Sequence, residues 1–160
     1  MVEELTSAGF EFVDHVAVAV KPGELDATVA KYKLLGFTEL HREEVYGKHQ
    51  VREVLMRIGD SNNLMQITEP LTPESPIAKI IERNGGRGGF AHLAFRVKDI
   101  QKAYDFMKAK GFNMTQEPGP GLAAQPFARL GRLCNWRSSL RLIPLAEGLV
   151  HHHGPGDRDV

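Results

Sequence analysis

The sequence has little cysteine and no long apolar run. Its single cysteine, Cys134, cannot form an internal disulfide, and no stretch approaches the roughly 18 consecutive apolar residues of a membrane-spanning helix. The first residues, MVEELTSAGFEF, have neither the cationic start nor the apolar run of a secretory signal. We therefore expect a cytoplasmic protein that does not enter a membrane.

An excess of charge of one sign is also missing. Lysine plus arginine equals aspartate plus glutamate, at 20 each, so the chain lacks the basic surface typical of proteins that bind nucleic acids or anionic membranes. The 160 residues are 42% hydrophobic and 25% charged, which is ordinary globular composition for one domain or two tightly fused halves. A small-molecule partner is the expectation, with no nucleic acid and no membrane.

The first half of the chain has the pattern of a strand, a helix and three more strands. A β-branched apolar run predicts a strand over 12–20, and apolar residues at helical spacing predict a helix over 24–35. Three strand-like segments separated by glycine-containing turns follow, over 38–45, 51–58 and 64–68. Ser75 as a cap and a proline at the first helical position predict a short helix over 75–84.

The same pattern then begins again, after the glycine-rich sequence NGGRGG. A strand is predicted over 90–97 and a helix over 99–110. The sequence HVAVAVK, which starts at His15, aligns with HLAFRVK, which starts at His92. Self-similarity at a fixed offset indicates a duplicated unit of supersecondary structure. We therefore predict an α+β fold made of two βαβββ repeats.

The end of the chain is less regular. Between 122 and 145 there are four arginines and few clean alternations, and Pro144 lies where a last strand should run. We predict five segments: an N-terminal extension at 1–10, a first module at 11–70, a linker with a short helix at 71–89, a second module at 90–148 with an atypical C-terminal part, and a disordered tail at 149–160.

Two histidines hold equivalent places in the repeat. His15 and His92 are 77 residues apart, each near the start of its strand. A single histidine in an apolar strand is more often a hydrogen-bonded core residue than a ligand. Related by a pseudo-twofold axis, however, the two side chains would face one another, and neutral imidazole is a common donor to transition metals. The pair therefore indicates a metal site.

Gln66 is a further candidate, because it is a polar residue in the middle of the apolar strand LMQITEP. A buried amide without a partner costs about 1 to 3 kcal/mol. Either a backbone group or a ligand must satisfy it, and the spacing alone leaves both open.

Several segments together resemble the vicinal oxygen chelate, or glyoxalase-like, superfamily, and within it the methylmalonyl-CoA epimerases. They extend over about 11–121 and include DHVAVAV, HQVREVLM and AHLAFRVKDI, with EPLTPESPIAKIIERNGG as the most specific. The resemblance implies a glyoxalase-like open cleft that binds a divalent metal ion, which could be cobalt, zinc, nickel, manganese or iron. It assigns the metal ligands to His15, Gln66 and His92. It also implies an acyl-CoA substrate and a homodimer.

The activity that the resemblance implies is epimerisation of a 2-substituted malonyl-CoA, by α-proton abstraction with a metal-stabilised enolate. The simplest alignment lacks both of the family's carboxylates, because Pro144 takes one place and Lys48 the other. A slip of three residues would offer Glu147 instead of Pro144. Lys48 and Glu147 are therefore the candidate catalytic residues, and His49 is another candidate base.

Two other functions stay open at this point. Missing carboxylates favour a protein of the same fold that binds a small ligand, as resistance proteins do, without catalysis. A lyase or dioxygenase on the same scaffold is the other possibility. The three histidines of the tail, His151, His152 and His153, have the composition of metal ligands, but a flexible tract that binds metal adventitiously explains them equally well.

Overall fold

The computed structural model describes residues 3–114, 118, 128–130 and 139–144. Four helices and seven strands lie in these ranges. In chain order they are α1 (Glu3–Ser7), β1 (Phe10–Ala19), α2 (Leu25–Leu34), β2 (Phe37–Val45), β3 (Val51–Ile58), β4 (Leu64–Pro70), α3 (Pro76–Arg83), β5 (Gly89–Val97), α4 (Ile100–Ala109), β6 (Ala128–Leu130) and β7 (Ser139–Pro144). No helix in the described part of the chain is long and apolar enough to cross a membrane.

The helix starts follow from local side-chain chemistry. The Ser75 hydroxyl accepts a hydrogen bond from the backbone N–H of Ile77 at 3.2 Å, and Pro76 occupies the first turn of α3, as the sequence predicts. Asp99 caps α4 in the same way. α2 has no capping side chain of its own. Its first N–H, at Leu25, donates instead to the buried carboxylate of Glu69 at 2.8 Å, so this helix start depends on a residue of β4.

The strands form one mixed sheet in which the repeat is visible. Among the described residues the strand order is β2-β3-β4-β1-β5-β7-β6. The first strands of the two repeats, β1 and β5, are antiparallel neighbours at its centre. On one side β1 pairs in parallel with β4, and on the other β5 pairs in parallel with β7. This arrangement places equivalent positions of β1 and β5 next to each other.

The two faces of the first module differ in chemistry. One face packs against α2, where Leu25 and Val29 join Val54, Met56 and Ile67 in a fully buried apolar cluster. Side chains of a strand alternate between faces, and residues paired in register share a face. The opposite face of β3, β4 and β1 therefore carries Glu53, Leu55, Gln66 and His15, and we call it the histidine face.

The predicted α+β fold is confirmed, and the predicted elements up to residue 110 are present with bounds shifted by up to two residues. Helix α1 was not predicted, because five residues give too little periodicity to detect. In the second module β7 runs over Ser139–Pro144 and β6 over Ala128–Leu130. The five segment boundaries stay predictions, and the predicted tail, 149–160, lies outside the described residues.

Candidate metal site and the cleft around it

His15 and His92 meet at the centre of the sheet. Strands β1 and β5 are paired so that His15 lies opposite Ala94, and His92 lies opposite Ala17. The two alanines leave room above the backbone for the rings. The ring Nε2 atoms are 2.9 Å apart, and the residues are only 1% and 3% exposed. The structure thus brings together the two histidines that the repeat singled out.

The other ring nitrogen of His15 is bound by its neighbour in the chain. Nδ1 of His15 is 2.8 Å from a carboxylate oxygen of Asp14, which also pairs with the guanidinium of Arg96. Burial alone would raise the pKa of Asp14. The hydrogen bond with His15 and the positive charge of Arg96 outweigh burial and hold this pKa below its ordinary value. Asp14 is therefore an ionised acceptor at neutral pH.

Gln66 lies on the same face as the histidines, one strand away. It pairs in register with Ala17, which pairs on its other side with His92. The residue is 1% exposed, and neither polar atom of its amide has a hydrogen-bond partner among the residues that the structure describes. The backbone partner that would have explained Gln66 as an ordinary core residue is not found there. A buried amide in this state calls for a partner outside the described residues, such as a bound ion or water.

These three side chains fit a divalent metal ion. Two imidazole nitrogens that bind one ion at about 2.0 to 2.1 Å and at right angles lie about 2.9 Å apart, which is the separation found here. The amide oxygen of Gln66 would be a third donor, of a type common around divalent ions. Counting histidine, cysteine, aspartate and glutamate alone, the described residues contain no metal-binding group of three or more. A three-ligand site that includes both histidines would therefore need a donor of another kind, and the Gln66 amide is such a donor.

The histidine face also carries a carboxylate that sequence reasoning missed. Glu53 of β3 is 9% exposed and is paired in register with Thr68, two positions from the Leu55–Gln66 pair. In the sequence VREVLM, alternate residues point to opposite faces of the strand, and each face would carry apolar side chains. The pattern alone therefore does not say which face is functional. Only the pairing of β3 with β4 places Glu53 on the side of Gln66.

Arg57 completes the polar groups of β3 on this face. It pairs in register with Leu64, which pairs in turn with His15. Its Nε atom is buried and has no hydrogen-bond partner within the described ranges. The face therefore combines two imidazoles, one amide, one carboxylate and one guanidinium, a set that could bind an anionic ligand and move a proton.

Lys48 and His49 lie in the segment that connects β2 to β3. Lys48 is exposed in the turn between β2 and β3, and seven positions separate it from Leu55, the register partner of Gln66. At about 3.3 Å per residue, even the four positions from Val51 to Leu55 extend about 13 Å. His49 is half-buried, and its carbonyl oxygen accepts from the Ser75 hydroxyl at 3.0 Å. Both residues precede β3, so neither has a register partner on the histidine face.

Of the candidate residues near the C-terminus, Pro144 lies within the described part of the chain. Pro144 is the last residue of β7 and is paired with Val97, so the structure does not place it opposite Ala94. Because Ala17 pairs with Gln66 and Ala94 pairs with Arg141, the position equivalent to Gln66 in the second repeat is 141. That Pro144 takes the place of the family's carboxylate stays a prediction from the resemblance. Glu147 and the tail histidines lie outside the described residues.

Comparison with known proteins defines the class of this chain. The family model of the Glyoxalase/Bleomycin resistance protein/Dioxygenase superfamily matches residues 14–128. The chain belongs to this superfamily, which confirms the resemblance recognised in the sequence. Within it, the chain is 30% identical over 112 residues to the ethylmalonyl-CoA/methylmalonyl-CoA epimerase of Cereibacter sphaeroides, covering 70% of this chain and 80% of that protein.

Two further comparisons agree with this relationship. The human mitochondrial methylmalonyl-CoA epimerase is 30% identical over 115 residues, covering 71% of this chain and 62% of that protein, so the chain spans less than two thirds of the human relative. A solved structure of the Streptomyces coelicolor methylmalonyl-CoA epimerase, in complex with 2-nitronate-propionyl-CoA, superposes with a TM-score of 0.71 at 26% identity, covering 86% of this chain and 99% of that one.

Proposed function

We propose that this protein is a metal-dependent epimerase of a 2-substituted malonyl-CoA. The observation that carries the proposal is the convergence of the His15 and His92 Nε2 atoms beside the unpartnered amide of Gln66. The similarity to methylmalonyl-CoA epimerases supplies the substrate class, an acyl-CoA. Cytoplasmic location and a homodimer stay predictions from the sequence.

The metal would be held by His15, His92 and Gln66. When bound there, a divalent ion supplies Lewis acidity towards a carbonyl oxygen of the substrate. Asp14 orients the ring of His15, and Ala17 and Ala94 leave space for a ligand above the sheet. Imidazole and amide ligands suit several divalent ions.

We assign proton transfer on one face of the substrate to Glu53. Its carboxylate would take the proton from the carbon between the thioester and the free carboxylate, while the electron pair of the C–H bond moves onto the thioester carbonyl to give an enolate. Return of a proton to the opposite face of the enolate inverts the centre. Glu53 takes the role that the sequence alone gave to Lys48, because Glu53 is buried on the histidine face.

Proton delivery to the second face stays a prediction for Glu147. Arg57 would contribute binding, because its guanidinium is a fixed cation on the face that receives an anionic substrate. Along β3, Arg57 lies two positions after Leu55, whereas Glu53 lies two positions before it. The substrate would thus lie across β3 and β4, with its reacting carbon on the Glu53 side of the metal.

The test is exchange of the α-proton of methylmalonyl-CoA with deuterated water, followed by mass spectrometry. The divalent-loaded protein should catalyse exchange, and Glu53→Gln should slow it by about 10² to 10⁴, the usual contribution of a general base. Glu44→Gln is the matched control, because Glu44 is exposed on β2 and its register partner, Arg52, lies on the other face of β3 from Glu53. Equal rates for the Glu53 and Glu44 variants would remove Glu53 from the mechanism.

Metal binding is tested separately by elemental analysis. His15→Ala and His92→Ala should each abolish stoichiometric binding of a divalent ion. All proteins in this experiment carry alanine in place of the three tail histidines, so that adventitious binding does not contribute. An unchanged metal content in either variant would place the site elsewhere.

Ligand binding without catalysis is the second candidate function. It is favoured by one observation: position 141, the equivalent of Gln66 in the second repeat, is an arginine and therefore brings no carboxylate to β7. In that case methylmalonyl-CoA would bind, as measured by calorimetry, while its α-proton would not exchange. Exchange above the rate of the free ion would exclude this alternative.

A further inference from the structure

The strongest unexplained feature near the histidines is a charged chain that joins the two modules. Asp14 belongs to β1 of the first module and Arg96 to β5 of the second. The carboxylate of Asp14 contacts His15 through one oxygen and Arg96 through the other. The side chain of Asp14 is 7% exposed, and that of Arg96 is 25% exposed. A buried carboxylate bound on both oxygens is fixed in orientation.

A β-bulge places Asp14 where it can reach the ring of its neighbour. Val13 pairs with Phe95 and His15 with Ala94, so two steps along β1 match one step along β5. Asp14 is the extra residue. In a regular strand, adjacent side chains point to opposite faces, and an aspartate next to a histidine would lie on the other side of the sheet. The bulge re-aims the side chain, a common device beside functional sites.

This geometry selects one tautomer of His15. An ionised carboxylate can only accept hydrogen bonds, so the His15 nitrogen that faces Asp14 at 2.8 Å, Nδ1, must carry the proton. In a neutral ring Nε2 is then unprotonated and has a lone pair directed at His92. This is the form that a metal ligand requires, because a protonated nitrogen cannot coordinate.

We propose that Asp14 and Arg96 are positioning residues for His15: Asp14 holds the ring in the tautomer whose Nε2 is unprotonated, and Arg96 holds Asp14 in place from the second module. The proposal rests on the proposed function for the role of His15 as a metal ligand. It goes beyond that function because it makes the tautomer of His15, a ligand from the first module, depend on Asp14 and on an arginine of the second module. Outer carboxylate partners of this kind typically change metal affinity about 10- to 100-fold.

The first readout uses the metal-free protein, so that it does not depend on the proposed function. Long-range ¹H–¹⁵N correlation spectra, recorded at a pH where imidazoles are neutral, report which ring nitrogen is protonated. His15→Ala identifies the His15 signals. In the unmodified chain Nδ1 of His15 should be the protonated nitrogen. In Asp14→Asn the two nitrogen shifts should move towards each other, because the amide can either accept from Nδ1 or donate to it.

The second readout is divalent-ion affinity by calorimetry. Asp14→Asn should bind about 10- to 100-fold more weakly. Arg96→Met should weaken binding by a smaller factor, and Arg96→Lys should restore part of the loss because it keeps the charge. Lys98→Met is the matched control. Lys98 forms a 3.7 Å ion pair with Glu11 that joins the same two modules at an exposed place, away from His15.

Two results would overturn the proposal. One is an Asp14→Asn variant in which the His15 tautomer is unchanged. The other is an Arg96→Met variant that behaves like Lys98→Met in both readouts. If Asp14→Asn does not fold, the arginine series decides, because the partly exposed Arg96 tolerates substitution more readily. If Asp14→Asn changes the His15 tautomer as expected but the unmodified protein has no epimerase activity, the positioning role stands. Only the proposed function is then refuted.

Discussion

Replacing Gln66 by methionine should stabilise the metal-free protein. Gln66 is 1% exposed, and both polar atoms of its side chain lack partners among the described residues. Removing such a buried, unsatisfied amide relieves about 1 to 3 kcal/mol. Methionine has nearly the same length and shape and no group that needs a hydrogen bond, so repacking should cost under about 1.5 kcal/mol. The expected net gain is about 1 kcal/mol, a rise in melting temperature of about 2 to 4 °C.

A bound metal ion should reverse the relative stability of the unmodified protein and the Gln66→Met variant. An ion present at 100 times its dissociation constant stabilises the folded state by about 2.7 kcal/mol. Gln66→Met removes the third donor, so the variant should gain much less from the same ion. Unmodified protein and variant should therefore exchange rank when the metal is added. Such a reversal is the signature of a residue kept for binding at the expense of stability.

Urea and thermal unfolding, each with and without the ion, measure both effects. Gln101→Met serves as the control, because Gln101 is exposed on α4 and its replacement should change stability by no more than about 0.5 kcal/mol. A metal-free Gln66→Met protein less stable than the unmodified chain would refute the reasoning. It would mean that the amide already has a partner, either ordered water or a group in another part of the chain.

Two further predictions concern the scaffold. Glu69→Ala removes the carboxylate that caps α2 at Leu25 and pairs with Arg52 at 3.0 Å, and should lower the free energy of unfolding in urea by about 2 to 4 kcal/mol. A loss under about 0.5 kcal/mol would contradict this role. Gly88→Ala would place a Cβ in steric conflict with the backbone carbonyl oxygen of Ala19, and should lower stability by about 1 to 3 kcal/mol in thermal melts. An unchanged melting temperature would show that the backbone at Gly88 does not closely approach the backbone at Ala19.

Much of the fold could be predicted from local pattern. The alternation and helical spacing of apolar residues define strands and helices through the end of α4, because each element must bury one face. Ser75 and Asp99 start helices through contacts within three residues, so neighbouring sequence contains the whole interaction. The internal repeat also predicted that His15 and His92 would meet, since equivalent strands lie beside a common axis.

The start of α2 shows where local pattern is insufficient. Its cap is Glu69, 44 residues further along the chain, and no rule based on nearby residues connects the two. The functional face of β3 is a similar case. The strand alternates between two sets of residues that both contain apolar side chains, and pairing with β4 decides that Glu53 rather than Arg52 shares a face with Gln66.

By itself the sequence predicted the α+β scaffold and the meeting of His15 and His92, because periodicity and internal repetition are properties of residue order. Gln66 became a candidate ligand through the resemblance to a known family. Only the tertiary structure decided that Glu53 shares a face with Gln66 and that position 141 is the counterpart of Gln66. It also decided, through one extra residue in β1, that Asp14 faces the ring of His15. The physical reason is register: a shift of one residue moves every following side chain to the other face of a strand, and register is set by contacts between distant segments.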